Sequence, residues 1–141
     1  MIVDSSIQLY CEVDASYLIH PDSKGNIGYT IGLHPKGIFY NRSAKQTLVS
    51  TSSTHAEMRA LYILVKDILF IVYICSEVNI PLLLLAVIME DNLAVVTISN
   101  EESPYLKKCK HFIMAVNYVR EQLELGLIQV LKIKDELNNA T

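Results

Sequence analysis

A nearly unbroken run of Leu, Val and Ile from Leu82 to Met89 constrains the fold more than any other part of this chain. A strand that is apolar at every position is normally covered on both faces, with a parallel neighbour in a sheet packed by helices. Near the amino end, apolar and polar residues alternate from Ile7 to Asp14, the period of a strand with one buried face. The two patterns together predict an α/β domain.

The other segments predict the order strand, strand, strand, helix, strand, helix, helix, strand. Turn formers separate the first strand from returning strands at Gly28 to Leu33 and Ile38 to Asn41, which predicts a three-stranded antiparallel meander. An apolar helix capped by Ser53 or Thr54 runs to about Val78. The later elements are a short helix over Leu93 to Ile98, a helix with an apolar stripe from Phe112 to Leu123 ended by Gly126, and a strand from Leu127 to Ile133.

Length and composition indicate one domain with a substantial core, because the 141 residues are 51% hydrophobic. Twelve Lys and Arg against 15 Asp and Glu give a net charge of −3, so nucleic acid binding would require a local basic patch. The three cysteines lack C-x-x-C spacing, which predicts reduced thiols and neither a disulfide framework nor a zinc site.

Targeting features are not recognisable in the sequence. The amino end has no signal-peptide pattern, and Lys66-Asp67 interrupts the first long apolar segment. The second, over Leu82 to Ile88, is much shorter than the ~20 residues of a membrane span. We therefore expect a protein that is not secreted and has no membrane partner.

Three acids stand at comparable places: Asp14 and Asp91 follow strands, and Glu57 lies near the start of the long helix. Each has a local explanation. Thr54 and Glu57 have capping-box spacing, Asp91-Asn92 could cap a helix, and Asp14 could lie in a solvated turn.

Their joint placement has a further explanation, because the carboxyl ends of parallel strands and the amino ends of the following helices share one edge of a sheet. Carboxylates brought together there repel one another unless a cation neutralises them, and hard cations prefer oxygen ligands. The three acids thus predict a magnesium site for phosphodiester hydrolysis.

Several short runs together resemble the ribonuclease H domain of copia-type long-terminal-repeat retrotransposon polyproteins, over nearly the whole chain. The matching runs are Val13 to Tyr17 followed by His20 to Gly25, Ser43 to Ser50 leading into Ser52 to Glu57, Glu90-Asp91-Asn92, Lys110 to Ile113 and Tyr118 to Glu121. Their order and spacing are more specific than any single run.

The resemblance implies a ribonuclease H-like fold over residues 1–141, with a five-stranded mixed sheet of an antiparallel meander and two parallel strands, flanked by helices. It implies Mg²⁺-dependent cleavage, with Mn²⁺ as a substitute, of the RNA strand of RNA–DNA hybrids during retrotransposon reverse transcription. Asp14, Glu57 and Asp91 would be the catalytic metal ligands. The partners would be the hybrid and the polymerase domain of the polyprotein, in a cytoplasmic retrotransposon particle or in the nucleus.

One departure concerns a fourth acid, which the family carries in an Ala-Asp pair after the last strand. The corresponding pair here is Ala140-Thr141, so the fourth ligand is lost or the domain is cut off just before it. Asp135 is nearby, although the usual exposure of such residues favours a solvated tail. The alternative function is accordingly a catalytically inactive module, decayed or domesticated, for hybrid binding or assembly with a partner.

Substrate contacts are predicted at a basic cluster and at two polar residues within the matched runs. A solvated helix face explains such a cluster equally well. The candidates are Lys107, Lys108, Lys110 and His111 in the cluster, Ser16 and Asn92 in the runs, and Lys24, Arg42 and Lys45 as outlying cations.

Overall fold

The computed structural model describes residues 7–16, 25–34, 37–46, 53–83, 85–100 and 110–133. Its elements are β1 (Gln8–Ser16), β2 (Asn26–His34), β3 (Gly37–Lys45), α1 (Ser53–Glu77), β4 (Ala86–Glu90), α2 (Leu93–Asn100), α3 (Lys110–Glu124) and β5 (Ile128–Lys132). The five strands form one sheet in the order β3-β2-β1-β4-β5. β1, β2 and β3 pair antiparallel, whereas β4 lies parallel to both β1 and β5. The predicted element order and mixed sheet are confirmed.

All the strand bounds shift by a few residues, and β3 and β4 differ most from the prediction. β3 extends to Lys45, because its polar second half keeps pairing with β2 although most of its side chains are exposed, as an edge strand permits. β4 begins only at Ala86, the first residue that pairs with β5. Before it, the backbone N–H of Leu83 donates to the carbonyl of Ile7 at 2.8 Å, so this part of the apolar run lies alongside the start of β1.

The described helices contact one another and one face of the sheet. That face carries the inward residues of the strands, and the helices bury their apolar stripes against it. The core includes Leu9, Cys11 and Val13 from β1, Ile31 from β2, Ile88 from β4, Leu61, Leu64 and Ile68 from α1, and Phe112, Val116 and Val119 from α3. On the opposite face of β1, Tyr10, Glu12 and Asp14 are exposed.

The two long helices end as predicted. Asn79 adopts a φ of 59° after α1, and Gly126 adopts a φ of 73° after α3. At the end of α1, the N–H of Ile80 donates to the carbonyl of Cys75 at 2.8 Å. The N–H of Asn79 donates to the carbonyl of Ser76 at 3.3 Å. These bonds form a Schellman motif, which turns the chain sharply away from the helix axis.

The described cysteines, Cys11 and Cys75, are free thiols. Burial raises the pKa of Cys11 to about 12, so this thiol stays neutral and packs as a small apolar side chain. Cys109 lies outside the described residues. In the part of the chain that the structure describes, no helix is both long enough and apolar enough to span a bilayer.

Candidate metal centre

Asp14 and Glu57 meet where the end of β1 passes the start of α1. The Asp14 side chain is exposed, and its Oδ1 accepts a hydrogen bond of 2.8 Å from the N–H of Ala15. The Glu57 carboxyl is half-buried, forms a hydrogen bond with Asp14 and accepts one from the N–H of Ala15. The predicted convergence of these two acids is therefore present in the structure.

The capping-box explanation for Glu57 does not fit this geometry. α1 begins at Ser53, so Thr54 lies inside the helix and Glu57 is its fifth residue, beyond the first turn. Its carboxyl bonds to the end of β1 instead of to the amino end of its own helix. His55, buried at 4% exposure, packs edge-on against Phe112 with 5.5 Å between ring centroids.

A third acid at this place, Glu90, was not predicted from the sequence. It is the last residue of β4, is fully buried, and pairs in register with Val13 of β1. Ala86 and Ile88 share its buried face, so strand alternation alone turns Glu90 inward. The available signal was a charged residue at an inward position of a buried strand, a place where unpaired acids are rare.

The buried acids interact strongly. Burial, then the charges of Glu90 and Asp14, raise the pKa of Glu57 to about 9. Burial also raises the pKa of Glu90 to about 7, although the Asn92 N–H, which donates to its Oε1 at 3.1 Å, and a hydrogen bond from Glu57 oppose the shift. Without a cation, Glu57 therefore holds a proton that it shares with its neighbours.

Asp91 points to a different side. Its side chain is 67% exposed, and its Oδ1 accepts a hydrogen bond of 3.3 Å from Nζ of Lys132. A surface ion pair of this kind contributes only about 0–1 kcal/mol. Asp91 therefore follows Glu90 directly in the sequence, but the structure does not turn its carboxyl toward Glu57 and Glu90.

Asn92, not Asp91, caps α2. The N–H of Val95 donates to Oδ1 of Asn92 at 3.1 Å, and the helix begins at the next residue, Leu93. This is the bond that defines an Asn N-cap. The sequence predicted a cap at Asp91-Asn92, and the structure assigns this role to Asn92.

Replacing Asn92 with Ala is expected to destabilise the protein by about 1 kcal/mol, because an N–H at the start of α2 loses its acceptor. Thermal unfolding should show a midpoint about 3–5 °C lower. Asn117→Ala, on the exposed side of α3, is the matched control and should leave the midpoint unchanged or slightly higher, because Ala favours a helix interior. Equal midpoints for the two variants would contradict the capping role.

A groove of ≈640 Å³ runs over the sheet face opposite the helices and is bordered by both Asp14 and Asp91. Its walls carry hydroxyl and amide groups as well as acids. The polar lining comes from Glu12, Asp14, Thr30, Asn41, Arg42, Ser43 and Asp91. The groove is an open path along the sheet that ends at the acids.

The donor set fits a hard divalent cation. All four acids offer carboxylate oxygens, the ligands that Mg²⁺ prefers. Two of these atoms, Oε2 of Glu57 and Oε2 of Glu90, are buried without a hydrogen-bond partner. Buried polar atoms normally have partners, so orphaned carboxylate oxygens are suited to a cation. As the side chains lie, however, no set of three Asp, Glu, His or Cys in the described residues forms a ready-made metal site.

The structure describes only some of the predicted substrate residues. Ser16 ends β1 and lines a cavity of ≈140 Å³ that Asp14 also borders. Lys110 and His111 begin α3. Lys107 and Lys108 lie outside the described residues, as do Asp135, the Ala140-Thr141 pair and Lys24, so the basic cluster stays a prediction.

Arg42, a predicted outlying phosphate ligand, belongs to a network between the sheet and α1. Its Nη1 donates to the hydroxyl of Tyr29 at 3.3 Å and lies 3.9 Å from Oδ2 of Asp67, while the Tyr29 hydroxyl donates to the same Asp67 oxygen. Burial and the hydrogen bond to Asp67 raise the pKa of Tyr29 to about 12. Arg42 is therefore engaged within the protein. Lys45 is exposed at the end of β3.

No family model matches this sequence. Among solved structures, the LC11 ribonuclease H1 isolated from compost, in complex with an RNA/DNA hybrid, superposes with a TM-score of 0.59 at 15% identity, covering 95% of this chain and 91% of that one. The ribonuclease H1 of the archaeon Halobacterium salinarum gives 0.57 at 10% identity, covering 94% and 89%. The prototype foamy virus protease–reverse transcriptase gives 0.63 at 20% identity over 100% of this chain and 19% of that one.

These similarities establish the fold. The chain has the ribonuclease H fold, in agreement with the sheet order and element order described above. The neighbours include ribonuclease H1 structures that this chain covers almost completely and a viral protease–reverse transcriptase of which it covers 19%.

Proposed function

We propose that this chain is a Mg²⁺-dependent endonuclease that hydrolyses the RNA strand of RNA–DNA hybrids during the reverse transcription of a copia-type retrotransposon. One observation supports it most: β1, α1 and β4 bring Asp14, Glu57 and Glu90 to one edge of a ribonuclease H fold, and two of their buried oxygens lack partners. A site of this composition costs stability unless a cation occupies it.

Asp14, Glu57 and Asp91 would hold the metal, and Mn²⁺ would substitute for Mg²⁺. When bound, the cations supply a polarised phosphate, an activated water and a stabilised leaving 3′ oxygen. Asp14 lies between the buried pair and the groove, and its exposure leaves it accessible to a phosphodiester. Glu90, fully buried beside Glu57, would provide negative charge next to the metal in addition to that of the three proposed ligands.

The substrate would lie along the groove that ends at Asp14 and Asp91. Hydroxyl and amide groups on its walls, including Thr30, Asn41 and Ser43, can hydrogen-bond with the 2′-hydroxyls that distinguish RNA from DNA. Ser16, Asn92, Lys107, Lys108, Lys110 and His111 are the further contact residues proposed. With a net charge of −3, the domain would depend on a polymerase domain in the same polyprotein for part of its affinity.

The direct test is cleavage of a hybrid with a labelled RNA strand, in Mg²⁺ and separately in Mn²⁺, with Asp14→Asn as the control. The wild-type chain should cut the RNA strand, should leave the DNA strand and duplex RNA intact, and should lose activity with a chelator. Asp14→Asn should reduce the rate by about 100-fold or more, because the exposed oxygen between the buried acids and the substrate is lost. Equal products from both proteins in both metals would reject the enzymatic function.

The second candidate is an inactive module that binds hybrid or a partner without cleaving it. Two observations favour this candidate: the described acids do not form a ready-made metal site, and Asp91 pairs with Lys132. In this case the hybrid should bind with a steep dependence on salt, and binding should not change in Asp14→Asn. Such a module would act in the retrotransposon particle in the cytoplasm, or in the nucleus, as the enzyme would.

A further inference from the structure

The carboxyl half of α1 carries an apolar face that the fold leaves exposed. The buried residues of this 25-residue helix end at Ile68. Beyond it, Phe70 is 63% exposed, Tyr73 is 62% exposed and Ile74 is 42% exposed. Large side chains exposed singly are ordinary, but three of them within one and a half turns of a helix form a continuous surface.

This face points away from the protein. Successive residues of an α-helix are 100° apart, so Phe70, Tyr73, Ile74 and Glu77 lie on one side. The core-facing residues of the same helix, Leu61, Leu64, Val65 and Ile68, lie on the opposite side. The sheet therefore cannot cover the exposed face, because the sheet contacts the other side of α1.

The end of the helix enlarges this surface. The Schellman motif at Asn79 folds the chain back, and such motifs bring the residue after the turn against the last helical turns. Val78 is 56% exposed and Ile80 is 49% exposed. Together with the three helical side chains they expose about 500 Å² of apolar surface, which is large for one patch on a monomer. We name these five side chains the α1 end patch.

We propose that the α1 end patch is a homodimer interface, covered by the exposed side of α1 in a second copy of this chain. The two copies expose at most about 1,000 Å² of apolar surface for such a contact, which is the lower limit for a specific interface, so polar contacts around the patch must complete the buried area. A two-fold interface of this kind must be self-complementary.

The charges beside the patch meet this requirement. Lys66 and Glu77 are both exposed, Lys66 four residues before Phe70 and Glu77 four residues after Tyr73. In an antiparallel pair of α1 helices, the register that packs Phe70 against the partner's Tyr73 also brings Lys66 opposite the partner's Glu77. The ring contact and the ion pair thus share one register, which the two-fold axis repeats. In the same register Ile80 lies opposite the partner's Ile63, a half-buried residue on the same side of α1.

The interface would leave the candidate metal centre open. Glu57 precedes Phe70 by thirteen residues, which is about 20 Å along the helix axis. Disrupting the dimer should therefore leave the hybrid-cleavage rate per chain unchanged. The proposal also holds if the chain proves to be an inactive module, because it does not depend on the acids.

The test is sedimentation equilibrium of the whole chain at concentrations up to about 100 μM, where a micromolar dimer would be largely assembled. The wild type should be dimeric. Phe70→Glu should be monomeric with an unchanged circular dichroism spectrum, since the replaced ring lies outside the core. Ile38→Glu is the matched control and should remain dimeric, because Ile38 is 66% exposed on β3, next to Tyr10 and Glu12 on the sheet face opposite the helices.

Charge reversal tests the register. Lys66→Glu and Glu77→Lys should each weaken dimerisation by about 10-fold, because each places like charges opposite one another twice. The double variant should regain most of the wild-type dimerisation. A wild type that is monomeric at every concentration would overturn the proposal, even if its patch binds another protein. A double variant that dimerises no more strongly than the single variants would also overturn it.

Discussion

Asp91→Asn is expected to lower the rate of hybrid cleavage by about 100-fold or more while barely changing the stability of the protein. The loss of rate follows from removing one charged oxygen ligand at the end of the groove. The stability should hold because the side chain is 67% exposed and loses only a surface pair with Lys132. Single-turnover cleavage measures the first effect, and thermal unfolding without metal measures the second.

Glu90→Gln is the contrasting substitution on the same strand end. It removes a buried carboxyl that carries an orphaned oxygen, so the metal-free protein should become more stable, whereas its cleavage rate should fall less than in Asp91→Asn. The opposite ranking, with cleavage abolished in Glu90→Gln and normal in Asp91→Asn, would make Glu90 the ligand supplied by β4.

The metal-free protein should lose stability as the pH rises from about 5 to about 9. Burial raises the pKa of Glu57 to about 9 and that of Glu90 to about 7, from an ordinary value of 4.5. Between these values the folded chain holds protons that the unfolded chain has released, so unfolding becomes easier with increasing pH. We expect the thermal midpoint to fall by at least about 5 °C over this range.

Magnesium should reverse this trend, because a cation that binds only the folded protein stabilises it, and does so most where the acids are charged. The midpoint should therefore rise more with Mg²⁺ at pH 9 than at pH 5. In the double variant Glu57→Gln and Glu90→Gln, both the pH dependence and the Mg²⁺ effect should shrink. A wild-type midpoint that is constant from pH 5 to 9 would show that the two acids do not share a buried environment.

Most of the fold was predictable because its strands and helices have clear periodicities. β1 alternates, α1 and α3 carry apolar stripes, and Asn79 and Gly126 mark helix ends. The extent of β3 was not predictable, because an exposed edge strand has no inward residues to reveal it. The continuous apolarity of 82–89 likewise hid the start of β4, since Leu82 and Leu83 are apolar but only partly buried or exposed and do not join the ladder.

The sequence predicted the candidate site only in part, because the run before Glu90 has no periodicity that shows which residues face inward. The resemblance and the strand ends located Asp14 and Glu57 correctly as neighbours. An unbroken apolar run does not show which residues face inward, so the alternation that buries Glu90 and exposes Asp91 became visible only once the inward positions of β4 were known. The network of Tyr29, Arg42 and Asp67 was also beyond sequence analysis, because it joins residues from three separate elements.

Because Glu57 holds a proton in the metal-free protein, magnesium binding should release protons. A cation that binds the carboxylate of Glu57 must displace the proton that Glu57 and its neighbour Glu90 retain near neutral pH. Binding should therefore acidify a weakly buffered solution, and the heat of binding in a calorimeter should vary with the ionisation enthalpy of the buffer. The ion could thus be counted by the hydrogen ions it releases, in a solution that contains no nucleic acid.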